Sequence, residues 1–237
     1  MKTETFTQEV KEYALKNGAN LVGIVSVEAI DSKPRIWVGW KIQSYTQKAS
    51  EIMPEAKSII VLGYHVWDTI FELAVKRGDK WTYPGYYPLK FIELKMTYYL
   101  KMKGFKAIPI NRISLKTLAK LAGFGNFGKN SLIINPVYGP WIRFTAILTD
   151  AELIPDEPFE DDLCGDCEAC IKACPVNALT PYKVDDRKCL VGMHLNDCQD
   201  AYYLKLFEKY EPSITKNSHL MCIECQRVCK YGRNLHY

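Results

Sequence analysis

The sequence predicts an α+β chain: a mixed α/β domain over residues 1–155, followed by a cysteine-rich metal module over residues 156–237. Three observations carry this division. All nine cysteines fall between Cys164 and Cys229, so the first two thirds of the chain contain none. Ahead of them, helical and strand periodicities alternate. Between the two parts, residues 150–162 are rich in acidic side chains, hold two prolines and lack periodicity, which reads as a solvated connection.

Composition bounds the function. A chain of 237 residues that is 48% hydrophobic and 24% charged has room for a real core. The net charge of +4 is too weak to argue for nucleic acid, and neither part of the chain is a basic arm. Thiolates bound to metal would make the second part anionic. No apolar run approaches the roughly 18 residues a membrane helix needs, and the N-terminus moves straight into charged residues. The expectation is a cytoplasmic protein with no membrane contact, for which nucleic acid is an unlikely partner.

The elements follow in order. Thr5 and Gln8 have capping-box spacing, Phe6, Val10, Tyr13 and Ala14 share one face, and Gly18 is a stop, so residues 6–17 read as a helix. Residues 21–25 read as a buried strand. Pro54 ends whatever helix precedes the strand at 58–64. Trp81, Tyr83, Tyr86 and Tyr87 surround Pro84, Gly85 and Pro88, and such rings either line a flat cofactor or pack a core. Ile92, Met96, Tyr99 and Leu100 keep helical spacing up to Gly104, after which 107–110 is a short strand. Residues 114–122 suit a short helix, and the strands 132–134 and 141–148 come after a glycine loop.

That loop places Gly123, Gly125 and Gly128 in the pattern G-x-G-x-x-G, with Lys129 and Asn130 behind them. It is neither a dinucleotide fingerprint, which needs a strand before and a helix after, nor a phosphate loop, which needs Ser or Thr where this chain has Asn130. What remains is backbone free to approach something closely, with two donors beside it.

The cysteines carry the most specific signal. Cys164-x2-Cys167-x2-Cys170-x3-Cys174-Pro175 is the spacing with which bacterial ferredoxins bind [4Fe–4S] clusters, the fourth cysteine serving the neighbouring cluster. Cys222-x2-Cys225-x3-Cys229 is its complement. Cys164, Cys167, Cys170 and Cys229 are then assigned to cluster one, and Cys174, Cys222 and Cys225 to cluster two. The missing ligand is Cys189 or Cys198, with Cys189 favoured by its polar approach, Asp185 to Lys188. Disulfides and structural zinc both explain this spacing less well.

Jointly, the loop from Ala122 to Asn130, the run Trp141 to Asp150, the first cysteine motif, Asp186 to Cys189, and Cys222 to Cys229 resemble the epoxyqueuosine reductases and, more distantly, the corrinoid-dependent reductive dehalogenases. The resemblance implies a nitroreductase-like α/β domain that holds cobalamin against a two-cluster, ferredoxin-like module. It implies Cys189 as the last ligand, leaves Cys198 spare, and makes Gly123, Gly125, Gly128, Lys129 and Asn130 cofactor-binding. Electrons from a ferredoxin- or flavodoxin-type donor would pass through cluster two to the corrinoid, for reduction of a small-molecule substrate or of the corrinoid itself. Two other readings stand beside this: a non-catalytic electron carrier that docks a corrinoid protein or flavoprotein, and epoxyqueuosine reduction in tRNA. The last is disfavoured, because Pro109-Ile110-Asn111-Arg112 stands where those reductases carry their acid. Tyr86 and Tyr87 are the candidate proton donors. Flavin is the alternative cofactor, since a nitroreductase-like fold holds either flat ring system.

Overall fold

The computed structural model describes residues 2–38 and 44–232. Its main strands are β1 (Leu21–Ser26), β2 (Ser58–His65), β3 (Leu73–Arg77), β4 (Lys80–Thr82), β5 (Ala107–Ile110), β6 (Ile142–Thr149), β7 (Ser213–Thr215) and β8 (Ser218–Leu220). Two four-stranded antiparallel sheets result, one in the order β1-β2-β6-β5 and the other in the order β7-β8-β3-β4.

The first sheet is buried on both faces, which follows from the two-residue period of a strand. Ile59 and Val61 of β2, with Phe144, Ala146 and Leu148 of β6, point into one core; Ile60, Leu62 and Ile147 point into the other. Helices α1 (Thr3–Lys16) and α2 (Tyr87–Met102) close the second core with Phe6, Val10, Ala14, Leu89, Ile92, Met96 and Leu100. Helix α3 (Leu115–Leu121) closes the first with Leu118, Ala119 and Leu121. The sheet therefore lies between helical layers, and the chain is of the expected α+β class.

Most boundaries fall within a residue or two of expectation, as helix and strand ends usually do. One capping expectation is corrected. Helix α1 starts at Thr3 with no side-chain cap, and Thr5 lies inside it. Thr7 Oγ1 donates to the Thr3 carbonyl at 2.8 Å, so the first turn is already formed there.

The acidic connection also differs from a free linker. Residues 150–162 hold no helix or strand, but they are strapped across the α/β domain. The Asp156 carboxylate accepts the Ile24 N–H at 2.7 Å and pairs with Lys11 at 2.5 Å. The Leu153 N–H donates to Ser58 Oγ at 3.0 Å, and Ala151 and Leu153 are buried. Beyond the strap come short helices α4 (Ala169–Ala173), α5 (Leu190–Leu195), α6 (Ala201–Tyr210) and α7 (Glu224–Arg227) around a small core of Val176, Ala178, Leu190 and Phe207. This part returns to the first through the second sheet, where Ser218, His219 and Leu220 of β8 pair with Val75, Ala74 and Leu73 of β3. Among the described residues no helix is long and apolar enough to cross a membrane.

Candidate functional site

The cysteines lie where short helices meet irregular loops, as four-thiol sites require. Gly165, at φ +48°, turns the chain between Cys164 and Cys167, and the Cys167 N–H closes that turn on the Cys164 carbonyl at 2.9 Å. Cys164, Cys167, Cys170 and Cys229 line one cavity together with Lys129, Asn130 and Tyr231. Mutual electrostatics sort the thiols the same way. Burial first, and then Cys164 and Cys167, push the Cys170 thiol up; Cys229 is raised by burial and by the same two neighbours. In the second set, burial raises Cys189 against Cys174, and drives Cys222 up to about 12 with help from Glu211 and Cys189. Cys225 is raised further, by burial and then by Cys222, Cys189, Cys174 and Cys170. Cys170 is thus the thiol at which the two sets approach each other.

Desolvated thiols whose neighbours oppose their ionisation, Cys170 and Cys229 in the first set and Cys189, Cys222 and Cys225 in the second, make a poor bare site. They make a good one when iron takes the place of their protons. Each donor set fits a four-thiolate cluster.

The glycine loop serves this arrangement. A Cβ on Gly125 would lie 2.1 Å from the Ile134 carbonyl oxygen, one on Gly128 2.5 Å from Ile134 Cγ1, and one on Gly123 2.8 Å from the Glu157 carbonyl oxygen. The space these glycines leave is thus filled by the chain itself. The donors behind them turn to the cysteine module: the Lys129 N–H reaches Cys164 Sγ at 3.4 Å, and Asn130 Nδ2 donates to the Cys225 carbonyl at 3.3 Å.

A different surface gathers exposed aromatic side chains. The turn Thr69–Glu72 packs on the turn Pro84–Tyr86 so tightly that a Cβ on Gly85 would lie 2.1 Å from the Phe71 carbonyl oxygen. Trp67, Ile70, Tyr86 and Tyr87 are left 42–61% exposed around these turns. At their base Arg143, from the start of β6, forms a buried ion pair with Glu72 and sits 5.7 Å from the Tyr86 ring centroid. Glu72 Oε1 is buried with no hydrogen-bond partner, so the base of this face has acceptor capacity to spare. Lys116 of α3 links the face to the second thiol set. Its Nζ donates to the Ser131 carbonyl at 2.7 Å, and burial pulls its pKa down, opposed by Cys225 and Cys189 and aided by Arg143. The turn after β5 carries exposed Asn111 and Arg112, with no carboxylate of its own.

One cluster was not anticipated. The Glu211 side chain, just past α6, is fully buried; its Oε1 accepts the Cys222 N–H at 3.0 Å and its Oε2 lies 2.5 Å from His194 Nδ1. His219 of β8 is 3% exposed, and burial first, then His194, lower its pKa to about 4, so it is neutral. Three potential ligand atoms of His194, Glu211 and His219 lie within 4.8 Å of one another. The two imidazoles, however, stack at 3.6 Å and 12°. Parallel rings direct their in-plane lone pairs side by side and not at a shared ion, so the trio is a hydrogen-bonded Glu211–His194 pair with the neutral His219 ring stacked against it. The sequence signal for it was faint: an acid followed by Pro212 at the end of an amphipathic helix, eleven residues before Cys222. Cys198, with Trp81 and both histidines, lines the cleft above it.

Comparison with known proteins agrees with this geometry. Residues 163–232 match the 4Fe-4S double cluster binding domain. An epoxyqueuosine reductase of Listeria monocytogenes is 36% identical over 135 residues, 56% of this chain and 33% of that protein. One from Leadbetterella byssophila is 27% identical over 96% of this chain and 80% of its own length. For the Escherichia coli K12 epoxyqueuosine reductase the figures are 26%, 95% and 65%. Among solved structures, an epoxyqueuosine reductase with an epoxyqueuosine-modified tRNA-Tyr stem loop superposes with a TM-score of 0.73 at 19% identity, over 98% of this chain and 67% of that one. A catabolic reductive dehalogenase with 3-bromo-4-hydroxybenzoic acid does so at 0.63 and 17%, over 99% of this chain and 33% of its own. The chain thus spans a third of the length of some relatives and four fifths of others.

Proposed function

We propose that this chain is an iron–sulfur oxidoreductase of the epoxyqueuosine reductase kind and carries electrons through two [4Fe–4S] clusters to a corrinoid on the Arg143 face. The acceptor of those electrons is a small substrate or the corrinoid itself. The observation that carries this reading is the electrostatic grouping of the thiols, in which Cys225 and Cys189 of the second set act on Lys116, which in turn feels Arg143 at the base of the exposed aromatic side chains.

In this reading Cys164, Cys167, Cys170 and Cys229 hold cluster one, and Cys174, Cys189, Cys222 and Cys225 hold cluster two. Exposed Cys167 marks the side on which a ferredoxin- or flavodoxin-type donor docks. Bound by these thiols, the two clusters would supply a one-electron path, and Cys170 and Cys225 are the thiols at which the two ligand sets approach each other. A corrinoid bound at the far side would supply a cobalt centre able to attack or reduce an electrophile. The chain's own part is to bind and to position. Trp67, Tyr86 and Tyr87 offer ring faces and exclude water, while Glu72 and Arg143 fix a polar edge. The Tyr86 hydroxyl, on the ring beside Arg143, is the group best placed to hold a proton for the reaction. The glycine loop acts at one remove, through its donors to Cys164 and Cys225.

A second reading, reduction of epoxyqueuosine in tRNA, is favoured by the relative solved with a tRNA stem loop and makes nucleic acid a partner to test. It is opposed by Asn111 and Arg112 at the turn where the resemblance calls for an acid.

The test is protein purified without oxygen. About eight irons together with cobalt, and a corrinoid spectrum that changes when cob(II)alamin and reductant are added, are the expected result. No binding and an unchanged spectrum overturn the corrinoid assignment. Bound flavin in place of cobalt selects the other ring system, and about eight irons with no organic group leave an electron carrier for a partner protein. Turnover of modified tRNA would select the second reading.

A further inference from the structure

We infer that Glu211 lowers the reduction potential of cluster two by holding a buried negative charge against the Cys222 backbone, an inference that rests on the assignment of Cys174, Cys189, Cys222 and Cys225 to that cluster. A cluster gains one negative charge on reduction, so a nearby fixed anion opposes that step, whereas N–H donors to its sulfurs favour it. Both thiol sets receive backbone N–H donors: Lys129 to Cys164 at 3.4 Å, with others at Cys170 and Cys229, in the first, and Ala178 to Cys174 at 3.3 Å, with others at Cys189 and Cys222, in the second. They differ in charge. Cys229 of the first set has Lys230 near it, whereas Cys222 and Cys189 of the second are both exposed to the field of Glu211.

The carboxylate is held by position. Its side chain is fully buried, one oxygen takes the Cys222 N–H at 3.0 Å, and the other takes His194. The Cys222 amide is thereby committed to an anion and is withheld from the cluster's sulfurs. His219, on the far side, is neutral and does not cancel the charge. Lys116 acts in the opposite sense from the other flank of the cluster, but burial works against its charged form. The consequence is functional: the cluster nearest the Arg143 face is made the stronger reductant, and an electron that reaches it is driven onward.

The test is a potentiometric titration of the full chain, reconstituted without oxygen and followed by the spin signals of the reduced clusters, with a Cys189→Ser variant to identify the second. Glu211→Gln keeps the shape of the side chain and removes its charge; the second potential is expected to rise while the first stays put. His194→Phe keeps the ring stacked on Phe207 and removes the hydrogen bond that drains charge from the carboxylate; the second potential is expected to fall. Opposite shifts are the signature of a charge, since a loosened fold moves both variants the same way. Unchanged potentials, or shifts of one sign, in variants that retain about eight irons overturn the inference and leave the cluster assignment standing. If Glu211→Gln loses the second cluster, His194→Phe decides alone: a fall supports the inference and any other result overturns it. Wild-type protein with iron for only one cluster overturns the assignment and the inference together.

Discussion

A thiol buried among three others is costly until a metal takes its proton, and this separates Cys189 from Cys198. Cys189 is raised by burial and by Cys174, whereas Cys198 lines the cleft beside His194. Cys189→Ser is expected to reduce bound iron from about eight per chain to about four, with Cys198→Ser retaining the full complement; a colorimetric iron assay on reconstituted protein decides, and equal iron in the two variants would remove Cys189 from the ligand set. His219 gives a second test at this scale. Its pKa is about 4 in the fold against 6.5 as an ordinary histidine, so between those values the unfolded chain binds a proton that the folded one refuses. Stability is therefore intact above pH 6.5 and declines as the pH falls toward 4, by at most about 3 kcal/mol. In His219→Asn this part of the acid sensitivity should vanish. Thermal midpoints at pH 7 and pH 5 measure it, and a variant that loses stability as steeply as the wild type refutes the assignment.

At the scale of elements, the glycine loop is a packing joint. Gly125 sits where any Cβ would strike the Ile134 carbonyl, on the two-residue pair that joins Asn126–Phe127 to Ile133–Ile134. Gly125→Ala should cost about 1–3 kcal/mol, the usual penalty for overpacking, and should weaken iron retention, because the same loop presents the Lys129 N–H to Cys164. Urea unfolding and iron release rates check both; a variant as stable as the parent would mean that the loop moves freely. The G-x-G-x-x-G pattern was legible as a close approach, but not what approaches, since a ligand and the chain's own backbone demand the same missing side chain. The long elements were legible because their periods are unbroken: β2 and β6 are runs of eight residues, and α2 carries a stripe from Leu89 to Leu100. Strands β3, β4, β7 and β8 were not, because each has three to five residues, and the pairing that joins their two hairpins into one sheet, β8 with β3, spans residues far apart along the chain. Nor does a charge pattern distinguish a solvated carboxylate from Asp156, which accepts a β1 amide, or from Glu211, which lies wholly inside.

For the whole molecule, the second sheet decides how the two parts behave. A chain divided cleanly at the acidic segment would unfold in two steps, the cysteine module failing apart from the α/β domain. Here β8 lies between β7 and β3, so the cysteine module closes its sheet only on a hairpin contributed by the first part. The Lys76 N–H crosses that seam to the Asn217 carbonyl at 2.7 Å, and the Lys76 ammonium makes a half-exposed ion pair with Asp197. These two contacts can be separated. Lys76→Ala removes the ion pair and the ammonium's contact with the Trp81 ring but keeps the ladder donor, and should cost about 1 kcal/mol, whereas Lys76→Pro also removes that donor and should cost about 3 kcal/mol. If the parts are one cooperative unit, visible cluster absorbance and far-ultraviolet circular dichroism will be lost in a single coincident transition in the wild type. Lys76→Pro will then lower both together. A proline variant that loses its clusters at a lower temperature while the helical signal keeps its original midpoint would show that the parts unfold independently, and that the seam docks one onto the other without coupling them.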